Sequence, residues 1–202
     1  MRDALPRPGP RLAAIVLAAG ASTRLGHSKQ LFRLGAQPLL VRTARLALDT
    51  VDGPVIVVLG ADALRLRSCL LRRQLPVEIA CNSNWSAGMA GSLQTGIKQV
   101  PADCAGALVL LVDQARLGTG EVRQLVRRWR QRPALPAAAT FEGHTGAPAV
   151  LPRKLFRETR QISGDQGARR LLRGQERVSE IALPSAAFDL DTPADEALFR
   201  QG

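Results

Sequence analysis

Tyrosine is absent from this 202-residue chain, aromatic residues make up only 3%, and histidine occurs twice. So few flat side chains argue against a stacking platform for single-stranded nucleic acid. Three cysteines, Cys69, Cys81 and Cys104, are too few and too scattered for a disulfide framework or a zinc knuckle. No apolar run approaches the ~20 residues that a membrane-spanning helix needs. The first eleven residues hold three prolines and no apolar centre, which argues against a secretory leader and for an unstructured tail over 1–11. A cytoplasmic protein with no membrane partner is the expectation. Lysine is also scarce: of 28 basic residues only Lys29, Lys98 and Lys154 are lysines, and the rest are arginines.

The hydrophobic fraction of 46% is ordinary for a globular chain, and the length suits one domain over 12–202. The net charge of +11 invites either nucleic acid or an anionic small molecule as partner. No nucleic-acid motif accompanies the charge, so no nucleic-acid partner is expected.

Short apolar runs alternate with segments of helical length. Ala13–Leu17, Pro54–Leu59, Val77–Ala80 and Ala107–Val112 read as strands, the first and second followed by small residues and the last by Asp113. Between them, 38–49, 61–71 and 121–132 read as helices. In the last, Val122, Leu125, Val126 and Trp129 recur with helical spacing, while Arg123, Arg127 and Arg130 read as a solvated face. Beyond Pro133, short strands at 137–140 and 149–151 flank a hairpin or sheet extension. Helices follow at 154–160 and 166–172, a strand at 178–183 and a helix at 193–199. The alternation predicts an α/β fold: a single-domain three-layer α/β/α sandwich on a mostly parallel, Rossmann-like sheet, with a small antiparallel extension.

Three segments fall where such a sheet binds ligands, after the carboxyl ends of strands. Leu17-Ala18-Ala19-Gly20-Ala21-Ser22-Thr23-Arg24-Leu25-Gly26-His27-Ser28-Lys29 combines small residues, which admit a polyphosphate to the backbone, with two cations. It fits neither the P-loop nor the dinucleotide glycine pattern; a plain glycine-rich turn is the bland account, and phosphate binding the favoured one. Asn82-Ser83-Asn84-Trp85-Ser86-Ala87-Gly88-Met89-Ala90-Gly91-Ser92 opens a helix, which Ser92 can cap. Asp113, at the end of its strand, suits Mg²⁺, which takes one or two carboxylates plus phosphate oxygens. By itself it is equally a turn residue. Near the carboxyl end, Asp189-Leu190-Asp191-Thr192-Pro193-Ala194-Asp195 puts Asp189 and Asp191 on one side of an extended stretch. Thr192 and Asp195 read as a helix cap with proline at the first helical position.

Together these motifs resemble the nucleotidyltransferases of the MobA-like NTP transferase family, whose fold is of the nucleotide-diphospho-sugar transferase type. The similarity runs from Leu12 to Phe199, most closely to the molybdenum cofactor cytidylyltransferase branch. The resemblance implies that Leu17, Ala18, Ala19, Gly20 and Ser22 wrap a nucleoside triphosphate, with Arg24 and Lys29 on its phosphates as catalytic cations. Gly88, Met89 and Ser92 would lie near the base. Asp113 and Asp191 would hold Mg²⁺, or Mn²⁺, with Asp189 as the alternative ligand. Family members usually have a small residue before the aspartate and proline after the glutamine, where this chain has Val112 and Ala115. Ala18-Ala19-Gly20 favours the cytidylyl branch, since guanylyl enzymes usually carry glycine in place of Ala19. Gly164-Asp165-Gln166-Gly167-Ala168-Arg169 resembles a segment of the same branch, and Gly146–Leu151 one on the acceptor side.

The implied reaction moves CMP from CTP to the phosphate of molybdopterin, with release of pyrophosphate. The implied partners are CTP, the molybdenum cofactor, and the molybdoenzyme that receives it or its maturation chaperone. Two alternatives stay open. One is the same chemistry with GTP, or with a sugar phosphate or methylerythritol phosphate as acceptor. The other is a non-catalytic chaperone that binds the cofactor.

Overall fold

The computed structural model describes residues 9–201. Most of the expected tail lies outside these residues. The first strand, β1 (Leu12–Ala18), is buried along its whole length. A two-stranded ribbon, β2 (Arg33–Leu34) and β3 (Gln37–Pro38), leads into α1 (Leu39–Leu48). Then come β4 (Val55–Leu59), α2 (Ala63–Arg72), β5 (Glu78–Cys81), α3 (Met89–Gln99), β6 (Gly106–Leu111) and α4 (Thr119–Gln131). The remainder is β7 (Ala137–Phe141), β8 (His144–Pro152), α5 (Ala168–Arg173), β9 (Ser179–Ala182) and α6 (Pro193–Gln201).

The seven-stranded sheet runs β5-β4-β1-β6-β8-β7-β9. β1 pairs in parallel with both β4 and β6, and only β8 runs against its neighbours. Alternate residues of β1 feed opposite faces, as the two-residue strand period requires. Leu12, Ala14, Val16 and Ala18 join α1, α2 and α4 in one core, and Ala13, Ile15 and Leu17 join α3 and α5 in the other. This is the three-layer sandwich expected from the sequence. Among the described residues, no helix is long and apolar enough to cross a membrane.

The β7–β8 hairpin turns on Glu142 (φ 48°) and Gly143 (φ 73°). Two successive left-handed residues give the tight turn whose twist matches paired strands. The expected helix at 154–160 is instead two 3₁₀ turns, Arg153–Phe156 and Glu158–Gln161. Pro152 ends β8 immediately before the first turn, and the second closes by a Thr159 Oγ1 hydrogen bond to the Phe156 carbonyl (2.7 Å). The arginine face of α4 is largely solvated, as its spacing suggests: Arg123 and Arg127 are exposed and Arg130 is half-buried. Arg123 donates twice to the Asp49 carbonyl at the end of α1, and Arg130 pairs with Asp52 at 3.1 Å. The short β2–β3 ribbon gives no sequence signal, because two-residue strands are too short to show a period.

β4 follows β1 on one side of it and β6 lies on the other, so β1 and β6 flank the point where strand order reverses. Loops leaving their carboxyl ends diverge there and open a crevice, the usual ligand site of such sheets.

Candidate active site

That crevice is a cleft of about 190 Å³ lined by Leu17, Ala18, Ala19, Gly20, Lys29, Gln30, Trp85, Gly88, Met89, Ser92, Leu111, Val112, Asp113 and Asp165. It thus brings together residues of four separate sequence segments. A larger, more open concavity of about 540 Å³, lined by Arg128, Arg132, Arg173 and Arg177 among others, contains none of the motif residues. Volume alone would point to the wrong place. The chemistry gathers in the smaller cleft.

The loop after β1 is shaped from within. Ser22 takes a left-handed conformation (φ 55°), and its hydroxyl accepts the Lys29 amide at 3.2 Å. Buried Gln30 donates to the carbonyls of Ala18 (3.2 Å) and Gly20 (2.8 Å), and accepts from the hydroxyls of Ser22 and Ser28. One side chain thus staples both ends of the loop. The sequence reading stops at Lys29 and misses Gln30, whose only signal is a buried amide immediately after the loop. Ser22 does not line the cleft. Arg24 stands at the rim, its side chain 70% exposed, 2.7 Å from Asp191.

Lys29 Nζ lies 2.7 Å from Asp113 Oδ2 and 2.7 Å from Asp191 Oδ1. Burial alone would lower the pKa of this ammonium. The two carboxylates more than reverse that, and the pKa is raised. Asp191 is held in turn by a cap. Asp195 accepts from the amides of Asp191 and Thr192 and from the Thr192 hydroxyl, which keeps its pKa low. The cap role read for Thr192 and Asp195 is therefore correct, and it also positions the aspartate between them and β9.

Asp189 does not touch Lys29. Its backbone bridges to Gln114, while its carboxyl pKa rises to about 7 through partial burial and the nearby charges of Asp113 and Asp191. Three carboxylates therefore raise one another's energy here. Among the described residues no three His, Cys, Asp or Glu side chains converge into a ready-made metal cage. Asp113 Oδ1 is nevertheless buried with no hydrogen-bond partner. A buried, unmatched carboxylate oxygen beside a second carboxylate fits a cation that brings phosphate oxygens as its other ligands.

The loop after Asp113 lacks proline but is braced in other ways. Arg42 of α1 donates to the carbonyls of Ala115 (3.1 Å) and Leu117 (2.8 Å). Gln114 donates to the carbonyls of Ala147 and Ala186. Replacing Arg42 by Met leaves two loop carbonyls without their donor, and should lower unfolding free energy by about 1–3 kcal/mol. Urea titration measures it; an unchanged midpoint would remove Arg42 from this role.

On the opposite wall Ser92 sits inside α3 and accepts from Asn82 Nδ2 at 3.0 Å. It is not the helix cap, because α3 begins at Met89 after Gly88. Gly88 has φ 109°, and a Cβ there would lie 2.2 Å from the carbonyl carbon of Gly164. Gly60, at the end of β4, is equally constrained: a Cβ would meet that of Trp85 at 2.5 Å and the Ala19 carbonyl at 2.7 Å. These two glycines let three loops close on one another, which brings Trp85 and Asp165 to the cleft. Both lie in segments singled out by the sequence, although neither residue is among the expected site residues.

Known proteins show the same organisation. A curated relative over nearly the whole chain is the purine catabolism protein PucB of Bacillus subtilis, 26% identical over 95% of this chain and 97% of its own length. A probable molybdenum cofactor guanylyltransferase of Synechococcus elongatus is 31% identical over 61% of this chain, which spans 59% of that protein. The crystal structure of Rv0371c from Mycobacterium tuberculosis superimposes with TM-score 0.80 at 25% identity, covering 96% of this chain and all of the other. A structure of Rv0371c in complex with manganese, at 23% identity, gives TM-score 0.78 over 95% of this chain and 99% of that one. The MobA-like NTP transferase domain matches residues 14–179. The chain belongs to that family of nucleotidyltransferases.

Proposed function

We propose that the protein transfers CMP from CTP to the phosphate of molybdopterin, releasing pyrophosphate. The observation that carries a nucleotidyl transfer is the Asp113–Lys29–Asp191 arrangement at the mouth of a small cleft floored by Leu17–Gly20. In this reading the cleft takes the nucleotide, with Ala18, Ala19 and Gly20 under the phosphates and Gly88, Met89 and Ser92 near the base.

An acceptor phosphate monoester is already ionised near neutral pH, so the site needs no strong base. An oxygen of that phosphate attacks the α-phosphorus, and the bond from the α-phosphorus to the bridging oxygen breaks. The electron pair leaves with pyrophosphate. The protein's part is alignment and neutralisation of the negative charge that accumulates. Lys29 and Arg24 supply fixed positive charge, and both are positioned by Asp191. Asp113 and Asp191 would hold a divalent cation, Mg²⁺ or Mn²⁺, with Asp189 beside them. When bound, that ion adds positive charge at the phosphates.

CTP is favoured over GTP only by resemblance: guanylyl enzymes usually carry glycine where this chain has Ala19. The guanylyltransferase relative supports GTP as the second reading. The test is pyrophosphate release from CTP, GTP, ATP and UTP, with Mg²⁺ or Mn²⁺ and with molybdenum cofactor, a sugar phosphate or methylerythritol phosphate as acceptor. The expected result is turnover only with CTP and the cofactor. Preference for GTP, or for another acceptor, would replace this reading. A cytoplasmic site of action, with the receiving molybdoenzyme or its chaperone as partner, belongs to the same proposal.

A further inference from the structure

Asp165 lines the cleft, yet no nucleotidyl-transfer step uses it. Its chain position is fixed: the Gly164 carbonyl accepts the Ala90 amide at 3.0 Å, and Gly88 leaves just enough room for Gly164 and Asp165 to lie on the first turn of α3. Gly167 is held as tightly, since a Cβ there would approach Met89 Sδ at 2.6 Å. The 164–167 segment therefore forms the outer wall of the pocket that Trp85, Met89 and Ser92 also line. Asp165 is exposed at the edge of this wall, and among the described residues no cation or donor pairs with its carboxylate, which stays open to a ligand.

An ionised carboxylate only accepts hydrogen bonds. Placed in a cleft for an anionic ligand, it repels phosphate and favours a ring edge that carries N–H groups. Trp85 is half-buried on the same wall, held there by the missing side chain of Gly60. It offers an aromatic surface suited to a flat ring. We infer that Asp165 selects the nucleotide by accepting a hydrogen bond from the exocyclic amino group of its base, while Trp85 holds the ring without regard to its identity. Bases with an amino edge satisfy the carboxylate. Uracil, which presents a carbonyl at the corresponding position, leaves it facing another acceptor. A pterin carries a similar amino edge, but Met89, Ser92 and the Ala18–Gly20 loop place Asp165 on the nucleotide's side. The inference rests on the nucleotide occupying this cleft as proposed above.

The test compares wild type with Asp165→Asn and Asp165→Ala. Affinities for CTP and UTP are read without acceptor, by equilibrium dialysis and by tryptophan fluorescence; Trp129 is fully buried, so Trp85 is the expected reporter. Steady-state kinetics follow with the acceptor varied. The carboxamide of Asn offers either a donor or an acceptor, and Ala offers neither. Both variants should therefore reduce the CTP-to-UTP preference by about 10–100-fold. KM for the acceptor and the melting temperature should stay at wild-type values. Trp85→Leu should weaken CTP and UTP equally. An unchanged CTP-to-UTP ratio, or a defect confined to the acceptor's KM, would overturn the inference. If wild type binds CTP over UTP in an Asp165-dependent way but transfers no nucleotide, the inference stands and the proposed reaction falls.

Discussion

Turnover is expected to fall by about 10²–10³-fold when Lys29 is replaced by Met, the cost of removing one preorganised electrostatic group. Methionine approximates the length and apolar stem of lysine but removes the ammonium. In the folded protein that ammonium sits between Asp113 and Asp191, 2.7 Å from each, on a side chain only 13% exposed. Its loss has two consequences. The phosphates lose a fixed positive charge in a site partly shielded from water, and two carboxylates lose the cation between them. The defect should therefore appear in kcat at saturating nucleotide. Arginine at the same position restores charge but brings a planar fork too large for the space between two carboxylates, and should recover little activity. Pyrophosphate release at saturating substrate is the measurement. Wild-type turnover in Lys29→Met would show that the ammonium serves only to bridge the two aspartates.

Asp113→Asn should cost a similar factor of about 10²–10³ by the same reasoning. The substitution preserves shape, so it isolates charge. The Oδ2 atom of Asp113 pairs with Lys29, while Oδ1 is buried without a partner. An amide at this position weakens the pull on Lys29 and makes a poor ligand for a hard divalent cation. Titrating Mg²⁺ and Mn²⁺ separates the two effects. If Asp113 holds the metal, the metal concentration for half-maximal activity rises along with the loss of turnover. Near-normal metal-dependent activity would take the metal away from Asp113.

Much of this site could be read from the sequence because its motifs are local and end on buried strands. The run Ala13–Leu17 announces β1, and the small residues after it announce a loop at a strand's carboxyl end. Asp113 follows β6 for the same reason. Such signals need only a few consecutive residues. Gln30 and Arg42 were not legible as site residues, because their roles depend on the folded arrangement; the segment of Asp165 was singled out by resemblance, but its place in the cleft was not. Gln30 closes the loop through carbonyls 10 and 12 residues earlier, and Arg42 braces a loop 73 residues later. Asp165 enters the cleft only because Gly88 and Gly167 let its segment approach. The helix expected at 154–160 failed for a different reason: its composition suits a helix, but the turn after Pro152 and the Thr159 hydroxyl favour 3₁₀ geometry. Ser92 shows the opposite case. Its position near a helix start suggested a cap, and one turn of displacement made it an inward-facing cleft residue.

The ion pair between Lys29 and Asp191 joins residues 162 positions apart in sequence. Contacts of that separation close large loops, whose entropy must be met before they contribute. The Leu17–Gly20 floor can take shape with β1 and its neighbours, whereas the paired carboxylates require the segment after β9 to have docked. A partly folded chain can thus carry most of its helices and its central strands while lacking Asp191. Such a chain would keep the Leu17–Gly20 floor of the cleft but would lack the second carboxylate beside Lys29. Competence for transfer would therefore require the segment after β9 to be in place, and recovery of activity would report on the whole chain rather than on the sheet that underlies it.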